Sequence, residues 1–347
     1  MELKKRVAVV ILNWNGKKFL EKFLPSILSY SIEFADVIIA DNDSTDDSTD
    51  FLKTSYPNVE VIILGKNYGF TGGYNRALKQ LDYEYFILLN SDVEVTPNWI
   101  QPIITFMDQH PDVAACQPKI LSFSDRHLLE HAGGSGGYID YLGYPFCRGR
   151  IYTTLEEDKH QYDSIEQIFW STGACMFIRS SDFFAADGFD EEFFAHMEEI
   201  DLCWRLQHMG KKIYVIPDSF VYHVGGGTLP KSSSRKTYYN FRNNLMMLHK
   251  NLPANKMFFI IFFRLFLDGI AGIKFLIDGD YKDTFAVLKA HMYFYYTFLR
   301  RQKIRSKIQS SIQNKTLKGV YNNSIVADYY IFNRKYFNML NQKEFVK

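Results

Sequence analysis

Tyr85-Phe86-Ile87-Leu88-Leu89-Asn90-Ser91-Asp92 is the stretch that decides the fold. Five consecutive apolar residues suit a strand buried on both faces, as strands of a parallel sheet are. The run then breaks into polar residues and a carboxylate. The same grammar recurs upstream. Residues 7–12 are a continuous β-rich apolar run followed by Asn13-Trp14-Asn15-Gly16, a loop signal. Residues 37–40 form a second strand that ends at Asp41, and residues 59–64 a third. Between them, Leu20, Phe23, Leu24, Ile27 and Leu28 recur at helical spacing, and residues 70–81 read as a helix after a glycine-rich entry. Pro97 opens a further helix at its first turn. Residues 113–117 suit a fifth strand.

Strands alternating with helices predict an α/β fold with a mostly parallel, doubly wound, Rossmann-like sheet flanked by helices. Ligands of such sheets bind beyond the carboxyl ends of the strands. Those ends carry Asn13, Asp41 and Asn90 to Asp92. Residues 123–166 read as an irregular, mobile excursion, with Gly133-Gly134-Ser135-Gly136-Gly137 inside it. Residues 167–178 are a strand candidate interrupted by Thr172-Gly173-Ala174. Residues 198–209 read as a helix stopped by Gly210, and 213–216 as a short strand before Pro217.

Composition bounds the rest. The chain has 347 residues, enough for one large α/β domain with an appendage, and 47% of them are hydrophobic, which excludes a disordered chain. A net charge of +1 gives no bulk field for nucleic acid. Four cysteines with no CxxC pair lack the spacing of a zinc site and suit buried thiols in a reducing cytosol. Lys4-Lys5-Arg6 precedes only six apolar residues, too few for a signal peptide.

Beyond about residue 235 the pattern changes, so residues 1–235 and 236–347 are expected to form separate regions. Residues 257–277 are nearly all apolar but carry Arg264, Asp268 and Lys274, which fall within roughly 120° of the helical wheel. A polar stripe on an apolar helix suits lying in a membrane interface rather than crossing it. Tyr293-Phe294-Tyr295-Tyr296 follows, then Arg300, Arg301, Lys303, Arg305, Lys307, Lys315 and Lys318 with no acid among them. Aromatics beside a basic run predict peripheral attachment to an anionic membrane surface, on the cytoplasmic face.

Several residues suit chemistry. Asp92 beyond a strand end can hold Mg²⁺ or Mn²⁺, which takes few protein oxygens and fills its shell with phosphate and water. Asp41 can accept a hydrogen bond from a base or ribose. Lys66 to Asn75 is a glycine-rich turn of the kind that offers N–H groups to phosphate, though it matches neither GxGxxG nor a P-loop. Glu198, Glu199 and Asp201 crowd one helix start. Like charges there raise one another's pKa, as a general base near neutrality requires. His196 fits no zinc motif and reads as structural. His223, before Gly225-Gly226-Gly227-Thr228, is a candidate metal ligand.

Together these motifs resemble the family 2 glycosyltransferases, whose fold is GT-A, and within them the bacterial rhamnosyltransferase-like branch. The resemblance covers about residues 7–250. It implies nucleotide-sugar binding by Asn13, Asn15, Asp41, Asn67, Gly69, Gly72, Asn75, Asn90 and Asp92. It implies acceptor binding by Trp170, Thr172, Gly173 and Ala174, metal binding by Asp92 and His223, and catalysis by Glu199 flanked by Glu198 and Asp201. Asn90 stands where the family's metal motif begins with Asp, and Glu199 where its base is usually Asp. The activity implied is inverting transfer from a UDP- or dTDP-sugar to a saccharide acceptor, plausibly lipid-linked, in cell-surface polysaccharide synthesis. The rivals are a sugar-1-phosphate nucleotidyltransferase and an inactive, membrane-docked saccharide-binding scaffold.

Overall fold

The computed structural model describes residues 5–130, 133–225 and 233–346. Its first half alternates as the apolar runs dictate: β1 (Val7–Asn13), α1 (Lys17–Ser31), β2 (Ala35–Asp41), α2 (Ser48–Ser55), β3 (Glu60–Ile63), α3 (Gly69–Leu78) and β4 (Tyr85–Asn90). These four strands lie parallel in the order β3-β2-β1-β4. The chain turns from one side of β1 to the other at this point. Asn13, Asp41 and Asn90 therefore end side by side, with Asn13 opposite Asp41 and Leu12 opposite Asn90. Strand pleating splits β1 between two cores: Ala8 and Val10 face one layer, Val9 and Ile11 the other.

The chain continues through β5 (Val93–Val95), α4 (Gln101–Gln109), β6 (Val113–Ser122), β7 (Gly137–Asp140), β8 (Pro145–Cys147), β9 (Arg150–Ile151), β10 (Thr154–Leu155), β11 (Glu166–Gln167) and β12 (Cys175–Arg179). Then follow α5 (Ser180–Ala185), α6 (Glu198–His208) and β13 (Lys212–His223). The main sheet runs β11-β13-β6-β12-β4-β1-β2-β3, with β5 on the far end of β13. Most strands are parallel, and β12 runs antiparallel between β4 and β6.

Three local expectations change. The helix expected at Pro97 begins at Gln101, because Asn98 takes a left-handed turn first. The strand expected to stop before Pro217 runs on to His223, because the proline sits where the register with β6 shifts, between Ile216 and Phe220. Such irregularities are where a sheet tolerates proline. The segment read as a mobile excursion is instead a second sheet, ordered β10-β9-β8-β7-β14.

The remaining elements are α7 (Ser234–Asn251), α8 (Ala254–Ile277), α9 (Tyr281–Ser310), β14 (Val320–Tyr321) and α10 (Ile325–Tyr330). The expected boundary near residue 235 falls at the start of α7, but the chain after it returns to pack on the second sheet. β14 adds a parallel strand to β7. Phe337 and Phe345 pack their rings on Tyr138. Gly319 donates its N–H to Val346, and Val346 donates back to Val320.

The expected polar stripe on α8 is split: Lys274 is exposed and pairs with Asp278, but Arg264 and Asp268 point inward. Arg264 and Asp268 are buried against the protein, while Phe258, Phe259, Phe262, Phe263, Phe266, Ile270, Ile273 and Ile277 are exposed. On α9, Phe285, Leu288, Met292, Tyr296 and Leu299 are exposed too. More than half of the exposed large apolar side chains among the described residues lie on these two helices. Arg301 and Arg305, expected to face lipid, are buried: Arg301 pairs with Glu192 and Arg305 donates to the His249 carbonyl.

Candidate active site

A cavity of about 990 Å³ opens beyond the carboxyl ends of β1 and β4. Asn15, Asn67, Gly69, Asn90, Asp92, Trp170, Thr172, Gly173, Ala174, Glu198, Glu199 and His223 all line it. Residues from 15 to 223 of the sequence thus converge on one space, from the ends of β1 and β4, the start of α3, the segment before β12, the start of α6 and the end of β13.

Asp92 follows β4 by two residues, and His223 ends β13, which carries it to the same place. His223 Nε2 lies 3.2 Å from Asp92 Oδ1, and its Nδ1 lies 2.9 Å from Glu130 Oε2. Burial alone would lower the imidazole, but the bonds to Asp92 and Glu130 outweigh it and raise His223 to about 10. A positive charge therefore suits this spot. Two cis ligands of an octahedral ion at about 2.1 Å stand about 3 Å apart, so Asp92 and His223 fit one divalent cation. Glu130 then completes the carboxylate–histidine–metal arrangement that fixes the ring. Among the described residues no group of three or more His, Cys, Asp or Glu forms a metal cage. Phosphate oxygens and water would complete the shell, as for Mg²⁺ or Mn²⁺ sites. Nothing in the residues around Glu130 signalled its part, since it sits in the segment that read as irregular.

Glu198 and Glu199 open α6 after an unusual turn. Phe194, His196 and Met197 have φ of 66°, 70° and 71°, a left-handed backbone that side chains of this size rarely adopt. The turn is held from α7: Asn243 Nδ2 donates to the carbonyls of Phe193, Ala195 and His196 at 3.0, 2.8 and 2.7 Å. Arg242 donates to Glu192 and Phe193, each at 2.8 Å. Burial raises Glu199 to about 7, against the pull of the backbone N–H groups of Glu199 and Ile200. Burial and the neighbouring Glu199 raise Glu198 well above the carboxylate range. Of the two, Glu198 is the more buried. Both residues line the cavity, and the Oε2 atoms of both are buried without a hydrogen-bond partner.

Asp201 is set apart from this pair. It is fully buried, away from the cavity, and accepts from Arg205 Nε at 2.9 Å, Lys250 Nζ at 2.7 Å and Asn251 Nδ2 at 2.8 Å. With all its acceptor capacity spent on α6 and α7, it ties the two helices together and is not poised for proton transfer.

Other predicted contacts stand one layer behind the wall. Asn13 Nδ2 donates to Asp41 Oδ2 at 3.1 Å, and Asp41 Oδ1 accepts from the Ser44 N–H at 3.0 Å. Asn75 is spent on Phe189, donating to its carbonyl and accepting from its N–H. The glycine-rich turn does not offer its N–H groups to phosphate. Gly69 N–H goes to Asn67 Oδ1 at 2.9 Å, and the N–H groups of Phe70 and Thr71 go to the Phe194 carbonyl. The glycines serve packing: a Cβ on Gly69 would lie 2.5 Å from the Phe194 ring, and on Gly72 2.9 Å from Tyr68. Gly225 is described, whereas Gly226, Gly227 and Thr228 lie outside the described residues.

The far part of the cavity was not foreseen. It is lined by Tyr144, Arg150, Tyr152, Asn244 and Arg264, from β8, β9, α7 and α8. Only Arg264 carried a signal, as one charge of the α8 stripe.

Comparison with known proteins places this geometry in context. Residues 8–183, half of the chain, match the model of "Glycosyl transferase family 2". An N-acetylglucosaminyl-diphospho-decaprenol L-rhamnosyltransferase of Mycobacterium tuberculosis is 29% identical over 231 residues, covering 62% of this chain and 75% of that protein. The crystal structure of S. aureus TarS with UDP-GlcNAc superposes with a TM-score of 0.56 at 16% identity, over 88% of this chain and 84% of that one. GalNAc-T7 with UDP, GalNAc and Mn²⁺ gives a TM-score of 0.56 at 17% identity, over 72% of this chain and 48% of that one. The sheet is thus the GT-A sheet, and the protein belongs to glycosyl transferase family 2.

Proposed function

We propose that the enzyme transfers a sugar, with inversion, from a nucleotide-diphosphate sugar (UDP- or dTDP-linked) to a saccharide acceptor carried on a lipid. The observation that carries this reading is one cavity lined by the Asp92–His223 pair and by Glu199. Glu199 Oε2 takes the proton of the acceptor hydroxyl as that oxygen attacks the sugar C1. Arg242 and Asn243, through the turn they hold, set the position of this carboxylate. Asn15, Asn67 and Asn90 line the donor side, and Trp170, Thr172, Gly173 and Ala174 wall the acceptor side. A divalent cation at Asp92 and His223 would neutralise the departing nucleoside diphosphate. Holding both substrates in line supplies much of the rate.

The lipid-linked acceptor is supported by the mycobacterial relative, whose name gives a diphospho-decaprenol acceptor. It is supported again by the exposed apolar face of α8 and α9, flanked by exposed Lys256, Lys282, Lys289 and Lys303. No helix among the described residues is long and apolar enough to cross a membrane. An amphipathic hairpin with its apolar side outward suits lying in the interface of an anionic leaflet, which on this reading is the cytoplasmic one.

Incubation with labelled UDP- and dTDP-sugars and Mn²⁺ tests the donor half. Metal-dependent nucleotide binding with slow release of free sugar supports the reading. Indifference to every nucleotide sugar, with or without metal, would refute it.

A further inference from the structure

Two groups of residues lining the cavity carry buried polar atoms without partners. One group, Glu198 Oε2, Glu199 Oε2 and His196 Nε2, belongs to the catalytic centre. The other is Arg264 Nε, Tyr152 hydroxyl and Asn244 Oδ1. Buried polar atoms are almost always paired, so three orphans on one wall point to a polar ligand.

Arg264 shows what kind. Its relative exposure is 3%, yet its contacts are loose: 3.4 Å to the Leu142 carbonyl and 3.4 Å to Asp268 Oδ1. The guanidinium lies flat over Tyr144, 3.5 Å from the ring centre. That stacking fixes the plane and leaves Nε as a spare donor. Burial keeps the Tyr152 phenol protonated, so it too is a donor. Arg150 lines the same end of the cavity. Of the acids near Arg264, Asp140 accepts three backbone N–H groups, while Asp268 meets Arg264 through Oδ1 at 3.4 Å and its Oδ2, 3.6 Å from His291, has no hydrogen-bond partner. Donors on a planar cation select phosphate oxygens. Asn244 differs, because its Nδ2 already donates to Gly143 at 2.8 Å and its spare atom is an acceptor. An acceptor suits a sugar hydroxyl or amide N–H.

Resting on the lipid-linked acceptor reading above, we propose that Arg264 and Tyr152 bind the diphosphate of that acceptor, with Asn244 on the sugar next to it. The height agrees. Arg264 faces inward on α8 while Phe262, Phe263 and Phe266 face outward, so a helix width of about 10 Å separates them. A helix sunk about 5–10 Å into the interface holds its inner side at headgroup level, where a lipid's phosphates lie. The donor diphosphate is assigned above to Asp92 and His223, so the cavity would hold two diphosphates.

The test uses the full chain in detergent with saturating UDP or dTDP and Mn²⁺, which fills the donor end. Farnesyl diphosphate, farnesyl monophosphate and farnesol are titrated by calorimetry. The parent should bind the diphosphate about tenfold more tightly than the monophosphate or the alcohol. Arg264→Gln should remove that preference and Arg264→Lys should restore part of it. Nucleotide affinity should stay constant in both. Tyr152→Phe, which deletes only a hydroxyl, should weaken the diphosphate severalfold even if Arg264→Gln fails to fold. Equal affinities for the three probes in the parent, or a preference untouched by Arg264→Gln and Tyr152→Phe, would overturn the proposal. Displacement of nucleotide by farnesyl diphosphate would also overturn it, by assigning the phosphate to the donor end. Failure to bind any nucleotide would instead strike at the proposed function itself.

Discussion

Replacing Glu199 by Gln should give an enzyme that is nearly dead yet more stable, and the structure sets both sizes. A carboxyl moved from 4.5 to about 7 costs the folded state about 3 kcal/mol once ionised, at about 1.4 kcal/mol per pH unit. The sign follows from the raised pKa. Below pH 4.5 the group is protonated in folded and unfolded chains and costs nothing. The penalty grows between pH 4.5 and 7 and is complete above. Glutamine keeps the shape and carries no charge, so Glu199→Gln should gain up to about 3 kcal/mol at pH 8 and almost nothing at pH 4. Loss of the base should cost about 10²-fold or more in kcat, with nucleotide affinity unchanged. The parent's kcat/KM should rise through a midpoint near pH 7, and the variant's should not. Urea denaturation at both pH values and a pH–rate profile check these points. Equal stability of the two proteins at pH 8, or a variant that keeps parental turnover, would refute the assignment of Glu199.

Asp92→Asn should weaken Mn²⁺-dependent binding of UDP or dTDP by tenfold or more, read by calorimetry with and without metal. It should leave metal-free binding unchanged. Asp201→Asn should behave oppositely to Glu199→Gln: removing a charge that Lys250 and Arg205 share should cost about 3 kcal/mol in denaturation, while folded enzyme keeps its nucleotide affinity and its pH midpoint. Phe262→Ser with Phe266→Ser should cut co-sedimentation with anionic vesicles by about tenfold or more, since each side chain is over 60% exposed and a buried Phe is worth about 1.5–3 kcal/mol. High salt should weaken, but not abolish, the parent's binding.

The sheet was legible because its strands are buried on both faces. Residues 7–12 and 85–89 admit no other reading, and the polar residues after them locate the cavity. The acids in the first turn of α6 could be read as a base site, but not divided. Only the fold shows that Asp201 turns back into Lys250 and Asn251 while Glu199 turns outward. The second sheet was illegible because strands of two to four residues carry no periodicity. Its glycines look like slack in sequence, yet a Cβ on Gly137 would lie 2.2 Å from the Trp170 ring. The stripe on α8 was found and then turned the wrong way. A polar face goes inward when Arg264 and Asp268 pair with each other and with the cavity, and the apolar face has another solvent to meet.

The strand β14 and the aromatic packing of Phe337 and Phe345 on Tyr138 have a consequence for biogenesis. Residues 7 to 90 can begin to assemble as they leave the ribosome, since β1 to β4 pair with one another. The wall holding Tyr144 and Tyr152 cannot close until residues 320 to 346 have been translated, about two hundred positions later. Such distant closure is slow. During that wait α8 and α9 emerge with their phenylalanines outward, so on the membrane reading proposed above nascent chains would have time to settle on lipid before the second sheet is complete. An enzyme finished in this order would begin work already at its membrane.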